Sequence, residues 1–339
     1  MKYLLPPVQF YKASLHTHSV VSDGKLTPEE VRDAYKGQGY SILALTDHSV
    51  IVEHPELNQE DFLMITGVEI DMDDRDDPTG ICRRRQKHLC LLSKTPHNNW
   101  LPYRDPEPKD TSVPYEQYMD YAGMSREYSA ENANRVIKAC NEHGYLVTYN
   151  HPVWSLENYP DYAPLEGLWG MEYRNTGSIN QGYDENNGRI YDDFLLQGKR
   201  LMPVCADDLH RPVRPNGLVS LARAWTMVGA EELTYESVIK ALEQGDLYSS
   251  CGPEIYSVAW DGECVHIKCS PCARVQVLTQ TRAAAITEGD GLTEAVLDMV
   301  HWVKRSQNEE NAYLRVIVTD TKGYYAVTRA YFKDELEEL

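Results

Sequence analysis

Over about the first 250 residues, short apolar runs alternate with amphipathic helical patterns. ASLHTH, SILALTDH, FLMITGVEI, HLCLLS, YLVTYNHP, LWGMEY, RLMPVCADDLH and RAWTMVGA each read as a short apolar run of strand type. Such alternation predicts an α/β fold of parallel strands with helices outside them. Thr27 as N-cap, Pro28 at the first helical position and Glu30 three residues after the cap start one helix, which VRDAYKGQGY ends in glycines. A second helix runs through SAENANRVIKACNEHG, from Ser129 as cap to Gly144 as stop. The stretch from about 94 to 125, with five prolines and many polar and aromatic residues, predicts a long loop insertion of the kind that forms lids. From about residue 252 the pattern turns β-rich, with turns at Asp261-Gly262 and Lys322-Gly323. The expected organisation is an α/β unit over 1–250 and a small all-β, sandwich-like domain over 251–339.

Composition narrows the setting. In 339 residues, 42% of them apolar, no apolar run approaches a membrane span, and the N-terminal MKYLLPPVQFYK has neither the apolar stretch nor the cleavage site of a signal peptide. A cytoplasmic protein without a membrane partner is expected, its eight scattered cysteines serving as thiols or ligands. The formal charge of −19 argues against a long nucleic acid as partner, because binding a phosphate backbone needs a basic face. Association into a homo-oligomer is left open.

The chemistry lies where the apolar runs end. His16 and His18, two apart in an extended segment, face the same side, and Asp23 follows in SDG. Asp47 and His48 follow ILAL, Glu69 closes an apolar run, His151 follows YLVTYN, and Asp208 and His210 follow MPVCA. His88 differs, opening its run beside Arg83, Arg84, Arg85 and Lys87. A single such residue is ordinarily a cap or a turn former. A series delivered by nearly every strand predicts one cleft, because the C-terminal ends of barrel strands converge. His54, His97, His143, His266 and His301 do not fit the pattern and read as structural or surface residues.

The order HTH, SDG, TDH, GVE, a separate His, NHP and DLH resembles the PHP family, named for its polymerase and histidinol phosphatase members, across about residues 13 to 250. The resemblance implies a distorted (β/α)7 TIM-like barrel holding two to three divalent metal ions at its C-terminal face. It places His16, His18, Glu69 and Asp208 around one ion. Glu69 would bridge to a second ion held by His88 and His151, and Asp23, His48 and His210 would hold the third. In CADDLH, the family's DxH spacing selects Asp208 over Asp207.

Nitrogen and oxygen donors without thiolate suit zinc, manganese or iron. Closely spaced ions clamp a phosphate and generate a hydroxide near neutral pH. The expected activity is therefore phosphoester hydrolysis of a small phosphorylated metabolite or nucleotide by a metal-bound hydroxide. No Walker-type loop or GxGxxG fingerprint appears. Arg174, Arg211 and Arg214 are candidates to grip phosphate oxygens, and each could instead pair with a nearby acid. Asp47 is a candidate proton carrier or support for a ligand histidine, and Glu172 either faces the cleft or serves as a barrel-mouth hydrogen-bond acceptor. Trp100 and Tyr103 are candidates for a nucleotide slot. Cys269 and Cys272 form a CxxC without a second copy, a thin basis for a structural zinc.

Two rival readings remain. The same metal chemistry could attack a non-phosphate substrate such as an amide. Alternatively, the barrel is vestigial and the β-domain is a carbohydrate-binding or scaffold module, with Trp260, Trp302, Tyr324 and Tyr325 lining one face.

Overall fold

The computed structural model describes residues 1–74 and 84–337. In chain order come β1 (Lys2–Leu5), β2 (Phe10–Ser14), α1 (Pro28–Lys36), β3 (Ile42–Leu45), β4 (Leu63–Asp73) and β5 (Gln86–Ser93). The insertion then contributes β6 (Trp100–Leu101), α2 (Val113–Glu116) and β7 (Asp120–Tyr121). After it come α3 (Ala130–Glu142), β8 (Tyr145–Tyr149), α4 (Tyr159–Tyr162), β9 (Gly170–Asn175), α5 (Thr176–Ile179), α6 (Gly188–Leu195) and β10 (Met202–Ala206). β11 (Trp225–Gly229), α7 (Tyr235–Gln244) and β12 (Leu247–Ser250) complete the α/β part.

The helix starts form as their sequences dictate. Thr27 and Glu30 exchange the two hydrogen bonds of a capping box, and Ser129 accepts from the Asn132 amide at the start of α3. β3 shows how the layers arise. Ile42 and Ala44 point to one cluster with Ala13, Ile65, Leu146 and Val204, while Leu43 and Leu45 pack on Val31 and Tyr35 of α1. All four residues of the strand are buried, as expected for a strand covered on both faces.

Strands pair in the order β2-β3-β4-β5-β8-β9-β10. The two ends of this path meet just beyond the strands, where Thr17 and Leu209 form a parallel bridge and the His18 amide donates to the Leu209 carbonyl at 2.9 Å. Lower down, Ser249 Oγ of β12 donates to the Pro203 carbonyl and accepts from the Cys205 amide. The β/α alternation is irregular, as a distorted barrel would have it. β5 runs antiparallel to both neighbours, only a 3-10 turn (Pro55–Leu57) lies between β3 and β4, and no helix lies between β10 and β11.

The remainder comprises β13 (Ile255–Trp260), β14 (Cys264–Thr279), β15 (Ala285–Asp298), β16 (Tyr313–Thr319), β17 (Tyr325–Thr328) and β18 (Tyr331–Phe332). These strands are antiparallel, as expected, but they do not form a sandwich set apart from the barrel. β17 pairs with β12 and β12 with β11, which pairs with β2, so the sheet continues from one part into the other. β1, from the start of the chain, pairs with β13. Strand patterning in sequence reports that strands exist, not which edge they join. The two parts are also tied by Arg315, 2% exposed, whose guanidinium makes two 3.0 Å hydrogen bonds to the Asp192 carboxylate of α6.

Among the described residues no helix is long and apolar enough to cross a membrane. Trp260 and Trp302 are buried against each other, Tyr325 packs edge-on to Tyr173, and Tyr324 alone of the four is exposed, so no aromatic face of the kind a sugar-binding module needs is built from them.

Candidate metal centre

Glu69 stands at the middle of the site. It is 1% exposed on β4, and its two oxygens face different partners. Oε2 lies 3.2 Å from His16, 3.3 Å from His18 and 3.4 Å from His48, whereas Oε1 lies 3.1 Å from His88, 3.2 Å from His151 and 2.8 Å from Asn150 Nδ2. His16 and His18 leave β2 on the same side, and Asp208 Oδ1 lies 3.3 and 3.2 Å from their Nε2 atoms. Asp23 is 3.3 Å from His210 and 3.8 Å from His48. All nine ligand candidates thus meet in one place, including His88. Because β5 is antiparallel, the start of that strand lies at the rim where the parallel strands end, and Asp71 is its register partner.

The surroundings fix these side chains. Glu172 accepts from His16 Nδ1 at 2.7 Å, turning Nε2 inward, and from the His151 amide at 2.8 Å. Ser155 Oγ is 3.2 Å from His151 Nδ1, so that ring also presents Nε2. Asp47 does not reach the cluster. Its carboxylate accepts from the amides and hydroxyls of Ser19 and Ser22, which shapes the loop between His18 and Asp23. Gly24 closes that loop, where a Cβ would stand 2.5 Å from the His18 carbonyl oxygen. Backbone in the left-handed region at Ser49, His151 and Asp208 marks a rim held in shape by its surroundings. Asp207 takes no part in the cluster and accepts from the amides of Ala222, Arg223 and Ala224.

Charge in the cluster is balanced by shared protons. Burial alone would push His18 down, but its hydrogen bonds to Asp208 and Glu69 outweigh burial and hold it up to about 10. His151 is raised to about 9 through Glu69 against the same burial, and His16 is also raised by the buried acids. His48 is lowered to about 4 by burial and by the neighbouring charge on His18. Burial would raise the carboxyls of Glu69 and Asp208, yet the imidazolium charges around them, His16 foremost, hold both well below the usual range.

The residues fit divalent ions. Four overlapping sets of donors each lie within 4.8 Å of one another: His18, Asp23, His48 and His210; His16, His18 and Glu69; His16, His151 and Asp208; His48, Glu69 and His88. His18 Nδ1 and His88 Nε2 are buried without a hydrogen-bond partner, which is costly unless something else fills that role. The sets overlap, with His151 beside His16 and Asp208 in one and His48 beside Glu69 and His88 in another.

A cavity of about 540 Å³ opens over the cluster, lined also by Lys25, Trp154, Gln181, Arg211 and Arg214. Arg211 and Arg214 thus line this cavity. Arg174 is not among the lining residues; its guanidinium donates to Asn186 Oδ1, which also accepts from the Tyr325 hydroxyl. Trp100 stacks on His143 at 3.8 Å and Tyr103 donates to the Asp71 carbonyl, so neither lines the cavity. Trp154, edge-on to His88 and His151 and unmarked in the sequence reading, is the aromatic residue of the cleft. Asn150, beside His151 in YNHP, was also missed. The histidines His54, His97, His143, His266 and His301 join none of the donor sets. Cys269 and Cys272, with Sγ atoms 3.7 Å apart, gain no third ligand among the described residues. Of the arginines beside His88, Arg84 pairs with Asp73 and Arg85 with Asp74 and Asp161, while Arg83 lies outside the described residues.

Residues 14–150 match the family model of the PHP domain. Over 63 residues, 17% of this chain, the sequence is 41% identical to a 5′-3′ exoribonuclease of Haemophilus influenzae, a stretch that is 23% of that protein's length. Among solved structures, a two-domain protein from Bacteroides vulgatus, described as containing a predicted PHP-like metal-dependent phosphoesterase, aligns over 98% of each chain with 13% identity and a TM-score of 0.47. An amidohydrolase from Chromobacterium violaceum aligns over 61% of this chain and 89% of its own, with 16% identity and a TM-score of 0.35.

Proposed function

We propose that this chain, with its PHP-domain match over residues 14–150, is a metal-dependent phosphoesterase acting on a small phosphorylated metabolite or nucleotide. The observation that carries the reading is Glu69, whose two oxygens each face their own group of histidines in a cluster already completed by Asp23, Asp208 and His210. His16, His18, His48, His88, His151 and His210, with Asp23, Glu69 and Asp208, would hold two to three divalent ions, of zinc, manganese or iron. Such ions, when bound, polarise a phosphoryl oxygen and lower the pKa of a water.

The chain's own residues supply the rest. Glu172 and Ser155 orient His16 and His151, and Asp47 holds the loop that delivers Asp23. Arg211, Arg214 and Lys25 at the mouth would bind the non-bridging oxygens of a phosphate or of inorganic phosphate. The flank of Trp154 would border the leaving group, where a planar one could rest. With a charge of −19 and a cleft of this size, a short substrate is favoured over a long nucleic-acid strand, in a cytoplasmic setting. The test is phosphate release from a panel of phosphomonoesters and phosphodiesters by manganese- or zinc-loaded protein, beside a His16→Ala, His18→Ala variant. Metal-dependent release that the double variant loses is expected; hydrolysis of amides but of no phosphoester would overturn the reading.

A further inference from the structure

The insertion after β5 is fastened to the cleft at several points. Thr111 Oγ1 donates to the carbonyls of Val21 and Ser22, at 3.0 and 3.3 Å, in the loop that carries Asp23. Arg126 joins Asp71 of β4 to Asp105 of the insertion at 2.5 and 2.8 Å, and all three side chains are largely buried. The Lys109 carbonyl accepts from the amide and hydroxyl of Ser112, at 2.9 and 2.7 Å. The backbone at Lys109 is therefore held without any help from its side chain.

The Lys109 ammonium is placed differently. Its Nζ lies 3.8 Å from Asp23 Oδ2, beyond hydrogen-bond reach, and its side chain is 49% exposed. The other Asp23 oxygen faces His210 and His48. Lys109 lines a second cavity, of about 370 Å³, that shares His48, His88 and Trp154 with the first. A cation on a fixed backbone thus stands next to the candidate ligand Asp23.

Building on the phosphoesterase reading, we infer that Lys109 is a substrate-binding residue that the insertion contributes to the cleft, where it contacts the anionic oxygens of the phosphoryl group. When Asp23 serves as a metal ligand its charge is shared with the ion, its hold on the ammonium weakens, and Lys109 is left to an anion bound at the same ion. The insertion then acts as a wall of the site and not only as a cover.

The test is calorimetric titration of inorganic phosphate into manganese-loaded full-length protein: wild type, Lys109→Met, Lys109→Arg and, as a distant control on an exposed lysine, Lys304→Met, each checked for native circular dichroism. Loss of one charged hydrogen bond weakens phosphate binding about tenfold in Lys109→Met. Lys109→Arg retains most of the affinity and Lys304→Met all of it. Turnover gives a second readout, with KM rising more than kcat falls. Wild-type binding that Lys109→Met leaves within about twofold overturns this inference and spares the phosphoesterase reading. Wild-type protein that neither binds phosphate nor releases it from any ester overturns both.

Discussion

Removing metal should make the protein's stability fall with rising pH between about 7.5 and 8.5, where the metal-loaded protein stays level. In the chelator-treated chain, His18 and His151, both fully buried, hold protons up to about 10 and about 9, and His16 is raised as well. In the unfolded chain all three titrate near the ordinary histidine value of about 6.5. Between pH 7.5 and 8.5 the native state therefore binds at least two protons more than the unfolded state. A raised pKa contributes stability that is full below the unfolded value and is lost as pH climbs through the folded one. For two protons the loss is about 2.7 kcal/mol per pH unit, at about 1.36 kcal/mol for each proton. In metal-loaded protein the ligand nitrogens are deprotonated, so this slope vanishes above about pH 6.5 and changes sign below it. Urea midpoints at pH 7.5, 8.0 and 8.5, with chelator and with manganese, measure both slopes. A chelated protein whose stability stays level or rises across that interval would refute the proton-balanced cluster.

Two further outcomes follow from the residues that hold the ligands. Glu172→Gln replaces the acceptor that orients His16 and meets the His151 amide, and metal affinity should fall by about 10- to 100-fold, as read by competition with a chromophoric chelator. Asp47→Asn loses part of the acceptor set for the two amides and two hydroxyls of Ser19 and Ser22. It should lower stability by about 1–3 kcal/mol in urea denaturation while leaving His88 and His151 in place.

The clustered donors were legible because chemistry of this kind uses distinctive side chains at strand ends, and His16, His18, His48, Glu69, His151, Asp208 and His210 all announced themselves that way. His88 looked misplaced only because strand direction is invisible in a pattern of period two; in the antiparallel β5 the start of the strand is at the rim. Arg174 was misjudged for a related reason. Irregular register between β9 and β10 breaks the simple alternation of faces just there, and the side chain leaves toward Asn186. Trp154 and Ser155 lie in a turn after His151, where no periodicity exists to report a direction; their one signal was adjacency to a ligand. The β-rich pattern after residue 252 was plain, but pairing of β17 with β12 depends on an open strand edge, a property of the folded sheet.

That shared sheet has a consequence for how the molecule is made. β2, which leads into His16 and His18, needs β11 as a neighbour, and β1 must wait for β13. During synthesis β2 thus gains β3 on one side early, but its other neighbour β11 and the partner of β1, β13, are made much later, so those edges stay unpaired in the interval. Asp208 and His210 arrive at about the same stage. The candidate donors can therefore come together only after β10 and β11 have been made, and a product terminated earlier is left with fragments of the cluster.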